Sequence, residues 1–155
     1  MDIKTNAMRI LDQRKVEYKS HSYADTDAIS GVEVAAALGE DPAHVFKTLV
    51  TKGKSKDHYV FIIPVAKELN LKKAAKSVGE KSVAMIKSKE LLPLTGYIHG
   101  GCSPIGMKKE LTTVIHETAK DFDTIVFSAG KIGYQIETSL DGLGKAIKFQ
   151  LADLL

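Results

Sequence analysis

Two apolar runs decide the fold: Val45-Phe46-Lys47-Thr48-Leu49-Val50 and Tyr59-Val60-Phe61-Ile62-Ile63-Pro64. A polar, glycine-containing connection at residues 52–56 separates them, which predicts a β-hairpin. Lys47 interrupts the first run, and because side chains alternate along a strand it shares a face with Val45 and Leu49. An ammonium among aliphatic groups is costly unless an anion or a strong dipole meets it. Lys47 is therefore a candidate site residue, although a lysine that reaches solvent from a strand end would look the same.

The other predicted elements are short and follow no regular order. Five helices are predicted, over 5–15, from the Ser30-Gly31-Val32-Glu33 capping box to Gly39, over 71–78 between Asn70 and Gly79, from Ser88 to Pro93, and from Ser139 onward. Further strands are predicted over 16–22, 83–86, 112–116, 124–127 and 134–137. This irregular mixture favours an α+β fold over a doubly wound parallel sheet. We expect one domain covering residues 1–155.

Composition sets broad limits on the class of protein. Hydrophobic residues make up 44% and charged residues 26% of the 155 residues, which are ordinary globular values. A net charge of +3 permits contact with a polyanion without requiring it. A single cysteine fits a reducing compartment. The start of the chain does not resemble a signal peptide, and the apolar runs are too short to span a membrane, so we expect a soluble cytoplasmic protein.

A second candidate site is the loop Gly100-Gly101-Cys102-Ser103-Pro104. It lacks the Gly-Lys-Ser/Thr sequence of a Walker loop and the glycine spacing of a dinucleotide fingerprint. One interpretation is a tight turn in which the glycines supply positive φ and Pro104 fixes the exit. The other is a set of backbone N–H groups directed at a carbonyl oxygen, as in an oxyanion hole.

Cys102 lies in this loop, and His99 precedes it by three residues. A catalytic cysteine needs a base or a positive environment that lowers its pKa, and the sequence does not show that these two side chains meet. A spectator thiol is the favoured interpretation. The five histidines lack metal-ligand spacing, so we expect no metal site.

Lysines concentrate in the predicted helix over 71–78. Lys72, Lys73 and Lys76 lie on adjoining parts of its surface. They form either a solvated helix face or a surface that contacts nucleic-acid phosphates.

Four motifs resemble the YbaK/EbsC-like aminoacyl-tRNA deacylases, which are related to the editing domain of bacterial prolyl-tRNA synthetases. They are Phe46-Lys47-Thr48-Leu49, the run from Asn70 to Gly79, the run from Thr95 to Gly106, and, more weakly, Ser128-Ala129-Gly130-Lys131. The resemblance extends over nearly the full chain. It implies a mixed, barrel-like central sheet surrounded by helices.

The resemblance also implies a reaction: hydrolysis of the ester in mischarged Cys-tRNA(Pro), and also in Cys-tRNA(Cys), without metal or cofactor. The thiol of the substrate would attack its own carbonyl, and release of a cyclic thiolactone would class the enzyme as a lyase. The implied partners are the 3′ end and acceptor stem of tRNA, together with prolyl-tRNA synthetase. Cysteine and proline are similar in size, and the pocket of a synthetase cannot strongly reject a near-isostere by packing alone. This explains the need for a second, hydrolytic step that removes the error.

Individual residues take roles from the same resemblance. Lys47 matches the essential lysine of the family, and Gly100 opens its Gly-x-x-x-Pro loop, so these two are the expected catalytic residues. The substrate-binding residues implied are Tyr23, Thr48, Gly101, Ser103, Pro104 and Asp141. Lys72, Lys73 and Lys76 are expected to contact tRNA. Position 102 is usually apolar in the family, so Cys102 is a departure that argues against catalysis by its thiol.

Three alternatives remain open at this point. One is a deacylase of another misacylated tRNA, carrying alanine, serine or threonine. Another is a non-catalytic module that binds tRNA or a synthetase through its basic face. The last is a regulatory protein that binds a small ligand.

Overall fold

The computed structural model describes residues 3–28 and 30–155. Over these residues it contains five α-helices: α1 (Asn6–Gln13), α2 (Gly31–Ala37), α3 (Leu71–Val78), α4 (Ser88–Thr95) and α5 (Leu140–Ala146). It also contains eight strands: β1 (Lys19–Ser22), β2 (Phe46–Gly53), β3 (His58–Pro64), β4 (Val83–Met85), β5 (Thr112–His116), β6 (Ile125–Ser128), β7 (Tyr134–Thr138) and β8 (Gln150–Ala152). The predicted α+β class is confirmed.

The strands form two sheets. The larger has the order β4-β2-β3-β5-β8 and the smaller the order β1-β7-β6. In the larger sheet β2 pairs antiparallel with β3 and β4, whereas β3 with β5 and β5 with β8 are parallel. The smaller sheet is antiparallel. The predicted β2–β3 hairpin and the mixed character of the sheet are both present.

The expected barrel does not form, because the two sheets stay separate over the described residues. They meet at one parallel bridge between Val45 and Val126. Beyond that bridge β2 takes β3 on one edge and, from Thr51, β4 on the other. On this second edge, the segment of β2 that includes Lys47 lies between the bridge to β6 and the pairing with β4. A closed barrel would need continuous strand pairing along this edge.

The core explains why β3 is apolar throughout. Its alternate residues Val60 and Ile62 join a cluster with α1 and the smaller sheet, while Tyr59, Phe61 and Ile63 face α3 on the other side. A strand with both faces buried reads as a continuous hydrophobic run rather than an alternating one. Residues of both sheets, including Phe46, Ile115, Phe127 and Ile136, share the first cluster.

Local capping follows the sequence at most helix ends. The Ser30–Glu33 capping box is complete, Asn70 accepts hydrogen bonds from two amides of α3, and Ser139 accepts one from Gly142 N. The exception is α4, which begins at Ser88 without a side-chain cap and continues through Pro93. No helix among the described residues combines the length and apolar character needed to cross a bilayer.

Candidate active site

Lys47 lies at the start of β2, two residues after the bridge that joins the sheets. Its side chain is half-buried, and burial lowers the pKa of its ammonium, opposed by the negative charge of Glu68. Within the part of the chain that the structure describes, no side chain forms an ion pair with it. A partly desolvated cation with free donors can bind an anionic or strongly polar group.

The end of β6 and the start of β2 follow the same bridge. The parallel bridge pairs Val45 with Val126, and Ser128 lies two residues further along β6, as Lys47 lies two residues further along β2. The Ser128 hydroxyl accepts a hydrogen bond from Gly130 N at 3.1 Å. This bond begins the β6–β7 turn, defined here as residues 129–133. The weak fourth motif of the sequence thus begins two residues after the bridge, as does Lys47 of the first motif.

The glycine loop packs on the other side of that turn. A Cβ atom added to Gly101 would lie 3.2 Å from Ile132 N, and one added to Gly100 would lie 3.7 Å from Ile132 Cδ1. Gly100 is exposed and has a φ of +87°, which favours glycine, whereas Gly101 is buried. Gly101 N donates to Ile98 O at 3.0 Å, so the loop is a tight turn, and the oxyanion-hole interpretation stays a prediction.

Ser103 and Pro104 continue the loop into the protein. Ser103 is fully buried, and its hydroxyl accepts a hydrogen bond from Ile105 N at 3.3 Å, so it supports the loop from inside. Pro104 is also buried and lines a groove on the outer side of the loop. Direct substrate contact by either residue stays a prediction.

Tyr23 approaches the same turn from β1. Its backbone N–H donates to Gly133 O at 2.8 Å, and its carbonyl accepts from Thr26 N and Thr26 Oγ1. The side chain is 8% exposed, which leaves only part of it accessible. The glycine loop and Tyr23 therefore meet at the β6–β7 turn, although they are at least 77 positions apart in sequence, and β6, which leads into that turn, is bridged two residues before Lys47.

Thr48 lies on the opposite face of β2 from Lys47. Its neighbours on that face, Phe46 and Val50, belong to the core shared with Cys102. Its hydroxyl oxygen is buried and has no hydrogen-bond partner among the described residues. A buried unsatisfied hydroxyl is uncommon in native proteins. The structure does not bring Thr48 and Lys47 to one face, so a pocket-lining role for Thr48 stays a prediction.

The thiol of Cys102 is in an environment that suppresses its reactivity. It is buried, and burial raises its pKa to about 12, against a small opposing effect of the Thr95 hydroxyl. His99, by contrast, is exposed. Because the thiolate is the nucleophile, a thiol with a raised pKa is protonated near neutral pH and inert. The spectator interpretation is supported.

Asp141 and the α3 lysines lie away from the turn. Asp141 is exposed in the first turn of α5. On α3, Lys73 pairs with Asp153 at 2.7 Å and donates to Leu155 O at 2.6 Å, so its charge already has partners. Lys72 and Lys76 are exposed. Within residues 3–28 and 30–155, only Lys72 and Lys76 of the predicted tRNA-contact surface thus have no ion-pair partner.

Two neighbours of the site, Ser128 and Ile132, were missed as individual residues. The weak motif at 128–131 was the available signal for Ser128, while Ile132 follows it as an exposed apolar residue. Residues 3–28 and 30–155 contain no group of three or more histidine, cysteine, aspartate or glutamate side chains arranged to hold a metal ion.

Comparisons with known proteins agree with this geometry. Residues 26–146 match the model of the aminoacyl-tRNA editing domain. A protein of Enterococcus faecalis, named as a proposed Cys-tRNA(Pro)/Cys-tRNA(Cys) deacylase, EbsC, is 45% identical over 97% of this chain and 93% of its own length.

Solved structures show the same fold. A protein proposed as a trans-editing enzyme for prolyl tRNA synthetase superimposes with a TM-score of 0.81 at 23% identity, covering 98% of each chain. A hypothetical protein gives a TM-score of 0.82 at 22% identity, covering 94% of this chain and 96% of its own. With the matched domain and the 45% relative, these findings confirm the resemblance seen in the sequence: the chain belongs to the aminoacyl-tRNA editing domain family.

Proposed function

We propose that this protein cleaves the ester of mischarged Cys-tRNA(Pro), and also of Cys-tRNA(Cys). The observation that carries the proposal is Lys47, a half-buried cation without an ion-pair partner among the described residues. It lies two residues after the bridge to β6, the strand that leads into the turn on which the glycine loop packs. The Enterococcus faecalis relative, 45% identical, bears the same two substrates in its name. Family membership supports aminoacyl-tRNA as the substrate class.

The chemistry needs little from the protein beyond positioning and charge. The substrate thiol attacks the carbonyl carbon, a C–S bond forms, and the C–O bond to the terminal ribose breaks. The thiol proton passes to the departing ribose oxygen, and the products are a cyclic thiolactone and free tRNA. Water then opens the thiolactone to cysteine. This route requires no protein nucleophile, which agrees with the protonated state of Cys102.

Lys47 and Gly100 have distinct tasks in this reaction. The Lys47 ammonium holds the terminal adenosine or the aminoacyl group and favours the negative charge that develops on the carbonyl oxygen. The exposed peptide at Gly100 can approach that oxygen closely because it has no side chain. Tyr23, Thr48, Gly101, Ser103, Pro104 and Asp141 are proposed to shape the pocket.

The proposed partners are tRNA and prolyl-tRNA synthetase. The exposed lysines Lys72 and Lys76 can contribute phosphate contacts, with Lys73 engaged by Asp153. Phosphate contacts position a nucleic acid without reading its identity. Selection of tRNA(Pro) is therefore proposed to reside in a complex with the synthetase.

A deacylation assay tests the proposal. Wild-type protein, with and without prolyl-tRNA synthetase, is given Cys-tRNA(Pro) alongside Ala-, Ser- and Thr-charged tRNA. We expect fast loss of cysteine only, and a fall of at least about 100-fold in the Lys47→Ala variant. Equal hydrolysis of Ala-tRNA(Pro) would rule out attack by the substrate thiol. Salt-dependent tRNA binding without turnover would instead identify a binding module.

A further inference from the structure

A groove of about 500 Å³ lies on the outer side of the glycine loop. It runs between the C-terminal ends of α1 and α5 and the segment that follows Pro104. Pro104 is common to the groove and to the glycine loop, and Gly100 lies four residues before it. Four residues of chain span at most about 14 Å. The groove therefore begins close to the proposed position of the reacting ester.

The rim of the groove is strongly basic. Four cations line it, Arg14, Lys109, Lys145 and Lys148, against the single carboxylate of Glu110. The three lysines are exposed and take part in no ion pair within the described parts of the chain. The Arg14 guanidinium donates to Lys145 O at 3.3 Å and ties the two helix ends together.

Helix dipoles explain part of this charge but not all of it. Arg14 is the C-cap of α1 and Lys145 lies in the last turn of α5, where cations offset the negative end of a helix. Lys148 directly follows Ile147, the C-cap of α5, so the same dipole can account for it, whereas Lys109 lies outside any helix. Their presence on the same rim indicates a polyanionic ligand.

The floor of the groove indicates which form of polyanion fits. Half-buried apolar side chains form it: Ile10, Met107, Leu111 and Ile147. None of the described residues that line the groove is aromatic. Unpaired bases are typically bound by stacking on aromatic rings, whereas a duplex is bound mainly through its phosphates and ribose hydroxyls. The groove is therefore suited to the backbone of a duplex.

The groove and α3 lie on opposite faces of the larger sheet. Ala7 and Leu11 of α1 pack in the cluster shared by both sheets, whereas Ala74 and Ala75 of α3 pack in the cluster on the other face. Counting ion pairs among the described residues, the groove has three unpaired lysines and α3 has two, and the groove includes Pro104 of the glycine loop.

We infer that this groove binds the phosphate backbone of the tRNA acceptor stem while the 3′ end lies at Lys47 and Gly100. The inference rests on the proposed function and names the surface that holds its substrate. It assigns the main electrostatic contribution to Lys109, Lys145 and Lys148, and a secondary one to the α3 lysines.

Charge-neutralising variants test the groove. The groove variant carries Lys109→Gln, Lys145→Gln and Lys148→Gln. The matched control carries Lys54→Gln, Lys81→Gln and Lys120→Gln, three exposed lysines outside the groove. A third variant carries Lys72→Gln and Lys76→Gln. For each, the Kd for uncharged tRNA(Pro) is measured against salt concentration, and kcat and KM are measured with Cys-tRNA(Pro).

We expect the groove variant to bind tRNA at least about tenfold more weakly at low salt, with the slope of log K against log salt reduced by about 2 to 3. Its loss of kcat/KM should appear as a raised KM. The control should keep the wild-type slope. A larger loss in the α3 variant, or an equal loss in the control, overturns the inference. So does a groove variant that binds tRNA normally but no longer binds prolyl-tRNA synthetase.

The same measurements separate this inference from the proposed function. If wild-type protein hydrolyses no charged tRNA but the groove variant alone loses tRNA binding, the proposed reaction is wrong and the groove assignment holds. If wild-type protein hydrolyses Cys-tRNA(Pro) and the groove variant matches it in Kd and KM, the reaction holds and the groove assignment is wrong.

Discussion

The half-buried position of Lys47 lowers the stability of the folded protein, because burial disfavours the charged form of its side chain. We expect Lys47→Met to unfold at the same temperature as wild type or a few degrees higher, while deacylation is lost. The measurement is thermal unfolding followed by circular dichroism, with the assay in parallel. A variant that unfolds well below wild type would show that the ammonium has a structural partner.

The sign of the pH dependence follows from the same shift. The folded-state pKa of Lys47 lies below its ordinary value of 10.5, so between the two values the unfolded chain binds more protons than the folded one. Wild-type stability should therefore rise relative to Lys47→Met as the pH increases through this window. If the free energy of unfolding of wild type minus that of Lys47→Met instead falls as the pH rises, burial is not the cause of the lowered pKa.

Cys102 gives a second prediction at the scale of one residue. Because burial raises its pKa to about 12, the thiol is protonated and takes no part in the reaction. Cys102→Ser should keep kcat within about twofold of wild type, and the native protein should react slowly with thiol reagents. The Thr95 hydroxyl, which interacts with the thiol, can hydrogen-bond the serine. A fall in kcat of tenfold or more would assign chemistry to the thiol.

Single residues also show where sequence reasoning succeeds and where it stops. Lys47 could be singled out as a candidate because a charge within an apolar strand violates a local rule, and its half-buried position is present in the structure. The approach of β6, which ends at Ser128, to the start of β2 was not predictable, because it depends on a bridge between residues 45 and 126 that no local pattern specifies. The unsatisfied hydroxyl of Thr48 was equally invisible, since threonine is ordinary in a strand.

At the scale of elements, the contact between the glycine loop and the β6–β7 turn is the feature on which the site depends. A Cβ atom at Gly101 would lie 3.2 Å from Ile132 N, so Gly101→Ala must shift one backbone segment against the other. We expect kcat to fall by about 10- to 100-fold, since small displacements of positioning groups are costly in catalysis. The measurement is single-turnover deacylation.

Gly39→Ala is the matched control. Gly39 has a φ of +69° and no atom within 4 Å of the added Cβ, so alanine there strains the backbone without displacing a neighbour. It should destabilise the protein by about 1 kcal/mol and leave kcat unchanged. If Gly101→Ala loses no more activity than this control, the loop is a turn without a catalytic task.

His116 anchors the C-terminal segment that follows β8. It is 4% exposed, and its Nδ1 accepts a hydrogen bond from Leu154 N at 3.0 Å, which requires a neutral ring. Burial lowers its pKa below the ordinary 6.5, partly opposed by the charge of Asp153. The unfolded chain therefore binds the proton first as the pH falls below 6.5, and stability is lost through that window.

Replacement of His116 by a group that does not titrate tests this anchor. In His116→Asn the amide oxygen can accept the same hydrogen bond, so the loss of stability between pH 6.5 and the lower folded-state pKa should disappear. The measurement is hydrogen exchange at Leu154 together with the unfolding midpoint across pH. An unchanged pH profile in the variant would assign the effect to other groups.

Helices and strands were predicted accurately where helix caps and hydrophobic periodicity indicate the same bounds. The prediction failed where tertiary packing sets the bounds. The hairpin, α3 and the three strands after the glycine loop were predicted at nearly their observed bounds. The sequence placed a break at Pro93, but α4 continues to Thr95, with Leu91 and Thr95 buried. β8 was missed because its residues are largely exposed, and it is defined by parallel pairing with β5.

At the scale of the whole molecule, one apolar cluster contains residues of both sheets. Phe46, Ile62 and Ile115 from the larger sheet pack with Phe127 and Ile136 from the smaller. In the described part of the chain the sheets share one bridge, so side-chain packing rather than backbone pairing holds them together. Since neither sheet can bury its inner face alone, the sequence-based expectation of a single domain becomes a prediction of one cooperative unfolding transition.

A substitution in the smaller sheet tests this cooperativity. Ile136 is fully buried in β7, and Ile136→Ala should lower the free energy of unfolding by about 2 to 5 kcal/mol. The loss should appear equally in amides of β7 and of β3, although β3 belongs to the other sheet, because both exchange through the same global opening. Native-state hydrogen exchange measures both sets. If the exchange free energies of β7 fall while those of β3 stay unchanged, the smaller sheet opens independently, and the site, which spans the junction of the two sheets, would open with it.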